Sequence, residues 1–226
     1  MTVKNIIFDL GGVILDLGFE RMVNSFENLG IKDFSAYFNP QKQVDFFEKL
    51  ELGLISPEIF YDKFREATNS QLTDEIIEEN WNLILKDFQK ERMDLLTELS
   101  ADFSLYLFSN TNAIHAKCFE QRCIEEMGQP LSTYIRKTYY SHDLHLRKPT
   151  VESFQEVLRQ SNLKADETLF IDDNADNILG AQAAGLKTYH LKAPKVLTEL
   201  NFQEIIYRRI CQYFFEKNFI LHKVSS

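Results

Sequence analysis

"VKNIIFDLGGVILDL", residues 3–17, starts as an apolar β-type run, reaches a carboxylate at Asp9 and then turns on Gly11 and Gly12. A short apolar run bounded by turn residues reads as a buried strand. Four later runs have the same character: "FSLYLFSN" (103–110), "IRKTYYS" (135–141), "ETLFIDD" (167–173) and "LKTYHL" (186–191). Helical patterns lie between the later ones, as in "TVESFQEVLRQSN" (150–162) and "NADNILGAQAAG" (174–185). Strand alternating with helix calls for crossover connections and a parallel sheet, so the expectation is a doubly wound, Rossmann-like α/β core.

The first interval breaks the rhythm. From residue 17 to residue 88 the chain shows only amphipathic helical periodicity, in "FERMVNSFENLG", "QVDFFEKLELG", "SPEIFYDKFREATNS" and "TDEIIEENWNLIL". Ser56 before Pro57, and Thr73 before Asp74 and Glu75, are helix N-cap signals. One crossover helix needs far fewer residues, so this stretch reads as a four-helix subdomain inserted after the first strand. The expected division is an α/β core over 1–16 and 89–195, a helical insert over 17–88, and a helical C-terminal tail over 196–226. Phe46, Phe47, Phe60 and Phe64 recur at helical spacing and read as core packing of the insert.

The 226 residues, 44% hydrophobic and 26% charged, are those of an ordinary globular chain. A net charge of −9 disfavours nucleic acid and anionic membrane as partners, because both require a basic face. Cys118, Cys123 and Cys211 lack CxxC spacing and suggest neither a disulfide framework nor a zinc site. With no apolar run of membrane-spanning length, the expected location is the cytoplasm. The tail, with "EIIYRRICQYFFEKNFI", packs on its own domain or offers an apolar face to a second copy, so the chain is expected to be a monomer or a weak homo-oligomer through that tail.

In an open α/β sheet, ligands bind beyond the carboxyl ends of the strands. The residues expected there are Asp9 after the first strand, Ser109, Asn110 and Thr111 after the second, Arg147, Lys148 and Pro149 after the third, and Asp172 and Asp173 after the fourth. Carboxylates gathered in one small site repel each other unless a hard cation holds them ionised, and Mg²⁺ suits a few oxygen ligands plus a phosphate oxygen. Asp9 could attack phosphorus to form an aspartyl-phosphate, while Lys148 and the Ser109 hydroxyl offset charge on the equatorial oxygens.

The segments "FDLGGVILD", "LFSNTN", "LRKP" and "FIDDNADNILGAQAAG" together resemble, in order, the four motifs of the haloacid dehalogenase-like hydrolase superfamily, in the subgroup with a helical cap after the first strand. The branch most resembled contains bacterial sugar-phosphate phosphatases. The resemblance implies Asp9 as nucleophile and metal ligand, a Gly11 backbone carbonyl on the metal, and Ser109, the Asn110 amide and Lys148 around the phosphate. It also implies Asp173 as the direct metal ligand, with Asp172 behind it or sharing the metal, Mg²⁺ as cofactor, and a small phosphorylated metabolite as substrate. Gly11 departs from the majority pattern, in which an aspartate there serves as general acid and base. Asp16 is a candidate stand-in, although such a residue also caps the turn into the insert. The alternative is a non-catalytic phosphometabolite-binding or scaffold protein that lost turnover through Gly11. His115 reads as an exposed helix residue, with the site as the other possibility.

Overall fold

The structure is a computed structural model that describes residues 2–39, 42–43 and 45–205. The tail segment 206–226, including Cys211 and most of the apolar stretch read as packing on its own domain or on a second copy, lies outside the described residues.

The chain opens with β1 (Asn5–Phe8) and the short β2 (Leu15–Leu17), then enters α1 (Phe19–Asn28). A two-residue ribbon follows, β3 (Phe38–Asn39) with β4 (Lys42–Gln43), and then α2 (Asp45–Glu51), α3 (Pro57–Thr68) and α4 (Asp74–Trp81). β5 (Leu85–Phe88) returns the chain to the core. There α5 (Lys90–Leu99), β6 (Ser104–Ser109), α6 (Ala113–Met127), β7 (Lys137–Tyr140), α7 (Ser141–Leu144), α8 (Val151–Gln160), β8 (Thr168–Asp172), α9 (Ala175–Ala183) and β9 (Lys187–His190) follow in turn.

All five strands expected from the sequence form one parallel sheet in the order β7-β6-β1-β8-β9, which is the doubly wound arrangement. Alternation along the strands sends side chains to two separate cores. Ile6, Phe8, Leu105, Leu107, Leu169 and Ile171 join one hydrophobic cluster, whereas Ile7, Tyr106, Phe108 and Phe170 join the other. Both faces are therefore covered, as a parallel sheet requires.

The helices of the insert form where the caps and periodicity put them. Ser56 accepts the Ile59 N–H and Thr73 the Ile76 N–H, with Pro57 opening α3 where its missing N–H costs nothing. Their apolar stripes meet in an aromatic cluster: Phe46 stacks on Phe47, Phe47 on Trp81, and Phe60 and Phe64 pack beside them, all buried. The cluster is continuous with the first core face, so the insert and sheet share hydrophobic contacts. β2 pairs antiparallel with β5, Leu15 opposite Phe88 and Leu17 opposite Leu85, and this ribbon carries the chain into and out of the insert.

Candidate active site

Two neighbouring strands, β1 and β8, deliver the acids to one edge of the sheet. The Asp9 N–H extends the β1 ladder by donating to the Ile171 carbonyl at 2.9 Å, which sets Asp9 beside Asp172 at the end of β8. Lys148 arrives from the loop before α8 and is 99% buried, with Nζ donating to Asp9 Oδ1 at 2.7 Å and to Asp172 Oδ2 at 2.8 Å. Its ammonium also lies over the Phe108 and Phe170 rings, 5.5 and 5.4 Å from their centroids. The peptide that carries it is clamped by one side chain: Asn110 Oδ1 accepts the Lys148 N–H, and Asn110 Nδ2 donates to the Lys148 carbonyl, each at 2.9 Å. The Asn110 side-chain amide is thus committed to holding the lysine.

Asp172 is fully buried and saturated. Besides Lys148 it accepts the Asn174 N–H at 2.8 Å and the Asn177 amide at 3.2 and 3.0 Å on its two oxygens. Asp173 is exposed, and Gly12 gives it room: with φ of +73°, Gly12 passes so close that any Cβ would overlap the Asp173 carboxylate. Ligand oxygens of Asp9, Asp172 and Asp173 lie within 4.8 Å of one another.

Burial pushes the Asp9 carboxyl up to about 7, against the pull of the Lys148 ammonium and with the Asp172 and Asp173 charges adding to the rise. Although its surface is exposed, Asp173 sits at the cavity floor where partial desolvation and then the Asp172 charge raise its carboxyl. Burial alone would lower the Lys148 ammonium, but Asp172 and Asp9 outweigh it and hold the lysine above its ordinary value. Three carboxylates face one ammonium, an imbalance that a divalent cation bound by oxygen ligands would correct. Since Asp172 is saturated, the donors with capacity to spare are Asp9 and Asp173.

These groups form the floor of a cavity of about 570 Å³, which suits a small organic ligand. Asp9, Gly11, Ser109, Asn110, Lys148 and Asp173 all line it; Asp172 stands behind them. The insert and its ribbon supply the opposite wall through Leu17, Phe38, Glu51, Trp81 and Ile84. Gly11 has no positive φ, and the space a side chain there would enter is taken by Leu17, whose Cδ1 lies 2.9 Å from where a Cβ would stand. Asp16 does not line the cavity. It pairs with the buried Arg92 at 2.8 Å and accepts from Gln89 at 3.1 Å, a structural anchor for the ribbon.

His115 is buried and lines the cavity, contrary to the exposed reading. Its Nε2 faces the Trp81 carbonyl at 3.2 Å and its Nδ1 faces the Asn112 amide at 3.1 Å, while its ring stacks on Trp81. A carbonyl can only accept, so Nε2 carries the proton and Nδ1 accepts from Asn112 Nδ2. The neutral ring is satisfied, and burial lowers its pKa from 6.5 to about 4. The folded pKa lies below the unfolded one, so this stability is complete above pH 6.5 and is lost as pH falls towards 4. Between pH 7 and pH 5 the wild type should lose about 2 kcal/mol through this group. His115→Gln should remove that part of the acid sensitivity in urea unfolding at the two pH values; equal losses in both proteins would contradict it.

The clamp by Asn110, the support of Asp172 by Asn177 and the Arg147–Glu51 ion pair at 3.0 Å were not assigned from sequence. Asn177, one helical turn after the acidic pair, is the signal that could have exposed the support of Asp172. Nothing local signals the Arg147 pairing.

Comparison with known proteins is consistent with this geometry. The family model described as haloacid dehalogenase-like hydrolase matches residues 6–191. A D-ribitol-5-phosphate phosphatase of Bacteroides thetaiotaomicron is 30% identical over 187 residues, 83% of this chain and 91% of that protein. A sesquiterpene phosphatase of Aspergillus oryzae is 26% identical, covering 84% and 90% of the two chains. Among solved structures, a wild-type enzyme of the same family from Bacteroides thetaiotaomicron, in complex with magnesium and inorganic phosphate, superposes with a TM-score of 0.80 at 35% identity, covering 85% of this chain and 96% of its own.

Proposed function

Because this chain belongs to the haloacid dehalogenase-like hydrolase family, we propose that it is a phosphatase that cleaves a small phosphate monoester through an aspartyl-phosphate on Asp9, with Mg²⁺ as cofactor. The observation that carries this reading is Asp9 at the floor of the cavity, held by a desolvated ammonium and within 4.8 Å of a second accessible carboxylate, that of Asp173.

Asp9 Oδ1 is anchored by Lys148 Nζ, which leaves the other oxygen to face the cavity as nucleophile. Asp9, Asp173 and the Gly11 carbonyl would hold the ion, which when bound would supply positive charge that keeps Asp9 ionised and offsets charge on the phosphate. Lys148, the Ser109 hydroxyl and the Asn110 backbone N–H bind the phosphate oxygens and offset the charge that spreads over them as the ester bond breaks. Asp172 keeps the lysine charged and aimed. A second in-line displacement by water at phosphorus releases inorganic phosphate and regenerates the Asp9 carboxylate. The relative that acts on D-ribitol 5-phosphate supports a sugar- or polyol-type phosphate as the substrate class. The alternative of a binding protein without turnover is not favoured, since the curated relatives are phosphatases and the nucleophile, lysine and acidic pair are all in place.

Hydrolysis of a series of aryl and alkyl phosphates, with Mg²⁺ and with a chelator, tests the assignment. Without a carboxylate at position 11 the rate should fall steeply as the leaving group becomes a poorer one. Gly11→Asp needs no left-handed backbone, only a swing of the half-exposed Leu17 side chain. It should flatten the plot and speed poor leaving groups by about tenfold or more, within the range general acid catalysis supplies. A wild-type plot already as flat as the variant's would show that another group donates the proton, and activity unaffected by chelation would remove the metal.

A further inference from the structure

The protein has one tryptophan, and the fold places it in the wall that the insert gives to the cavity. Trp81 closes α4, is 2% exposed, and stacks on Phe47 and on His115 with ring centroids 5.2 and 5.0 Å apart. A phenylalanine could stack there without bringing a polar atom into the core. The indole N–H is buried as well, and among the described residues it has no hydrogen-bond partner. Buried donors are nearly always paired, because an unpaired one loses its hydration with nothing in return, and buried tryptophans usually place the N–H on an acceptor. Trp81 lines the cavity that has Asp9 on its floor, so the acceptor can arrive with a ligand.

The rest of that wall cannot take over this role. Among the described residues, the insert and its ribbon give the cavity Leu17, Phe38, Glu51, Trp81, Ile84 and Leu85. The aliphatic side chains and Phe38 have no polar atom and the Glu51 carboxylate only accepts, so Trp81 supplies the donor. His115 lines the cavity from α6, but its Nε2 proton goes to the Trp81 carbonyl. Charge decides which acceptor fits. Asp9, Glu51, Asp173 and Asp176 line the cavity, with Lys148 and Arg147 as the cations among the described residues. Arg147 is already shared between Glu51 and Glu48, and a divalent ion would do no more than balance a phosphate dianion. The lining beyond the phosphate therefore stays acidic. It repels a leaving group that carries a carboxylate or a second phosphate and admits a neutral one.

We propose that Trp81 is a specificity-determining residue: its indole N–H, at the rim of the stacked ring, donates to a hydroxyl oxygen of the leaving group and selects an uncharged polyhydroxylated ester over an alkyl ester of the same length. The proposal rests on the phosphatase reading and deepens it. An ester without that oxygen would leave the N–H buried and unpaired in a wall of Leu17, Phe38 and Ile84. A site built to hydrogen-bond a substrate group discriminates most strongly in that situation.

Trp81→Phe keeps a stacking ring and removes the N–H. It should lower kcat/KM for a pentitol phosphate by about tenfold, the effect of one hydrogen bond, and leave n-pentyl phosphate within about twofold of wild type. Loss of folded protein scales both rates alike, so the ratio between the two esters is the readout. An unchanged ratio, or a wild type with no preference for the pentitol phosphate, would overturn the proposal. The single tryptophan allows a second readout that does not depend on how the variant folds, because isotopic labelling of tryptophan gives one indole N–H resonance. In Asp9→Asn with Mg²⁺, saturating pentitol phosphate should move that proton downfield and n-pentyl phosphate should not. The same position with both esters would overturn the proposal. A wild type that hydrolyses neither ester would count against the phosphatase reading, while the indole resonance, which needs no turnover, still judges Trp81.

Discussion

Asp9→Asn is expected to abolish hydrolysis, lowering kcat by about 10⁴-fold or more, as removal of a nucleophile does elsewhere. The fold should persist. Asparagine matches the aspartate in size, and its Oδ1 can still accept from Lys148. Burial disfavours the charged form of Asp9, and Asp172 and Asp173 repel it, so the neutral amide relieves two unfavourable effects at the loss of one ion pair. Tm should therefore hold or rise. Steady-state rates and a thermal scan on the same purified sample check both halves, and near wild-type turnover in a folded variant would sink the assignment.

Lys148→Met should act on catalysis and stability together. The ammonium is the cation hydrogen-bonded to both Asp9 and the fully buried Asp172, and removing one partner of such a network typically costs about 3–5 kcal/mol. Asp172 would keep the Asn177 and Asn174 donors, which limits the loss but does not replace the charge. Phosphate affinity and kcat should both fall, the latter by about 10²–10³-fold, because the lysine offsets phosphate charge in ground and transition states alike. Urea unfolding and kinetics measured side by side distinguish the outcomes: lower stability with unchanged kinetics would make the lysine purely structural.

The sheet was readable because each of its strands is a compact apolar run closed by turn residues, and because the order of strands and helices leaves few ways to wind it. Asp9, Ser109, Lys148 and Asp173 were readable for a related reason: chemistry placed after strand ends is fixed by the backbone, and spacing in sequence locates it. What lay beyond reach depends on the third dimension. Arg147 meets Glu51 and Glu48 of α2 from far along the chain, so no local pattern marks the pairing. His115 looked like an exposed helix position because its helix is amphipathic in pattern, but the insert folds over that face and buries it against Trp81. The β2–β5 ribbon spans too few residues to show a period. Gly11 marks the side chain that the resemblance leads one to expect, but no sequence pattern marks Leu17 as the residue that fills the place, and Asp16, a candidate from sequence, is occupied elsewhere by Arg92.

The covalent role of Asp9 is the claim on which the rest depends, and the stereochemical course at phosphorus tests it most directly. Hydrolysis of an isotopically chiral phosphate ester through an aspartyl-phosphate involves two in-line displacements, so the account predicts net retention of configuration. Net inversion would mean a single direct attack by water and would contradict it.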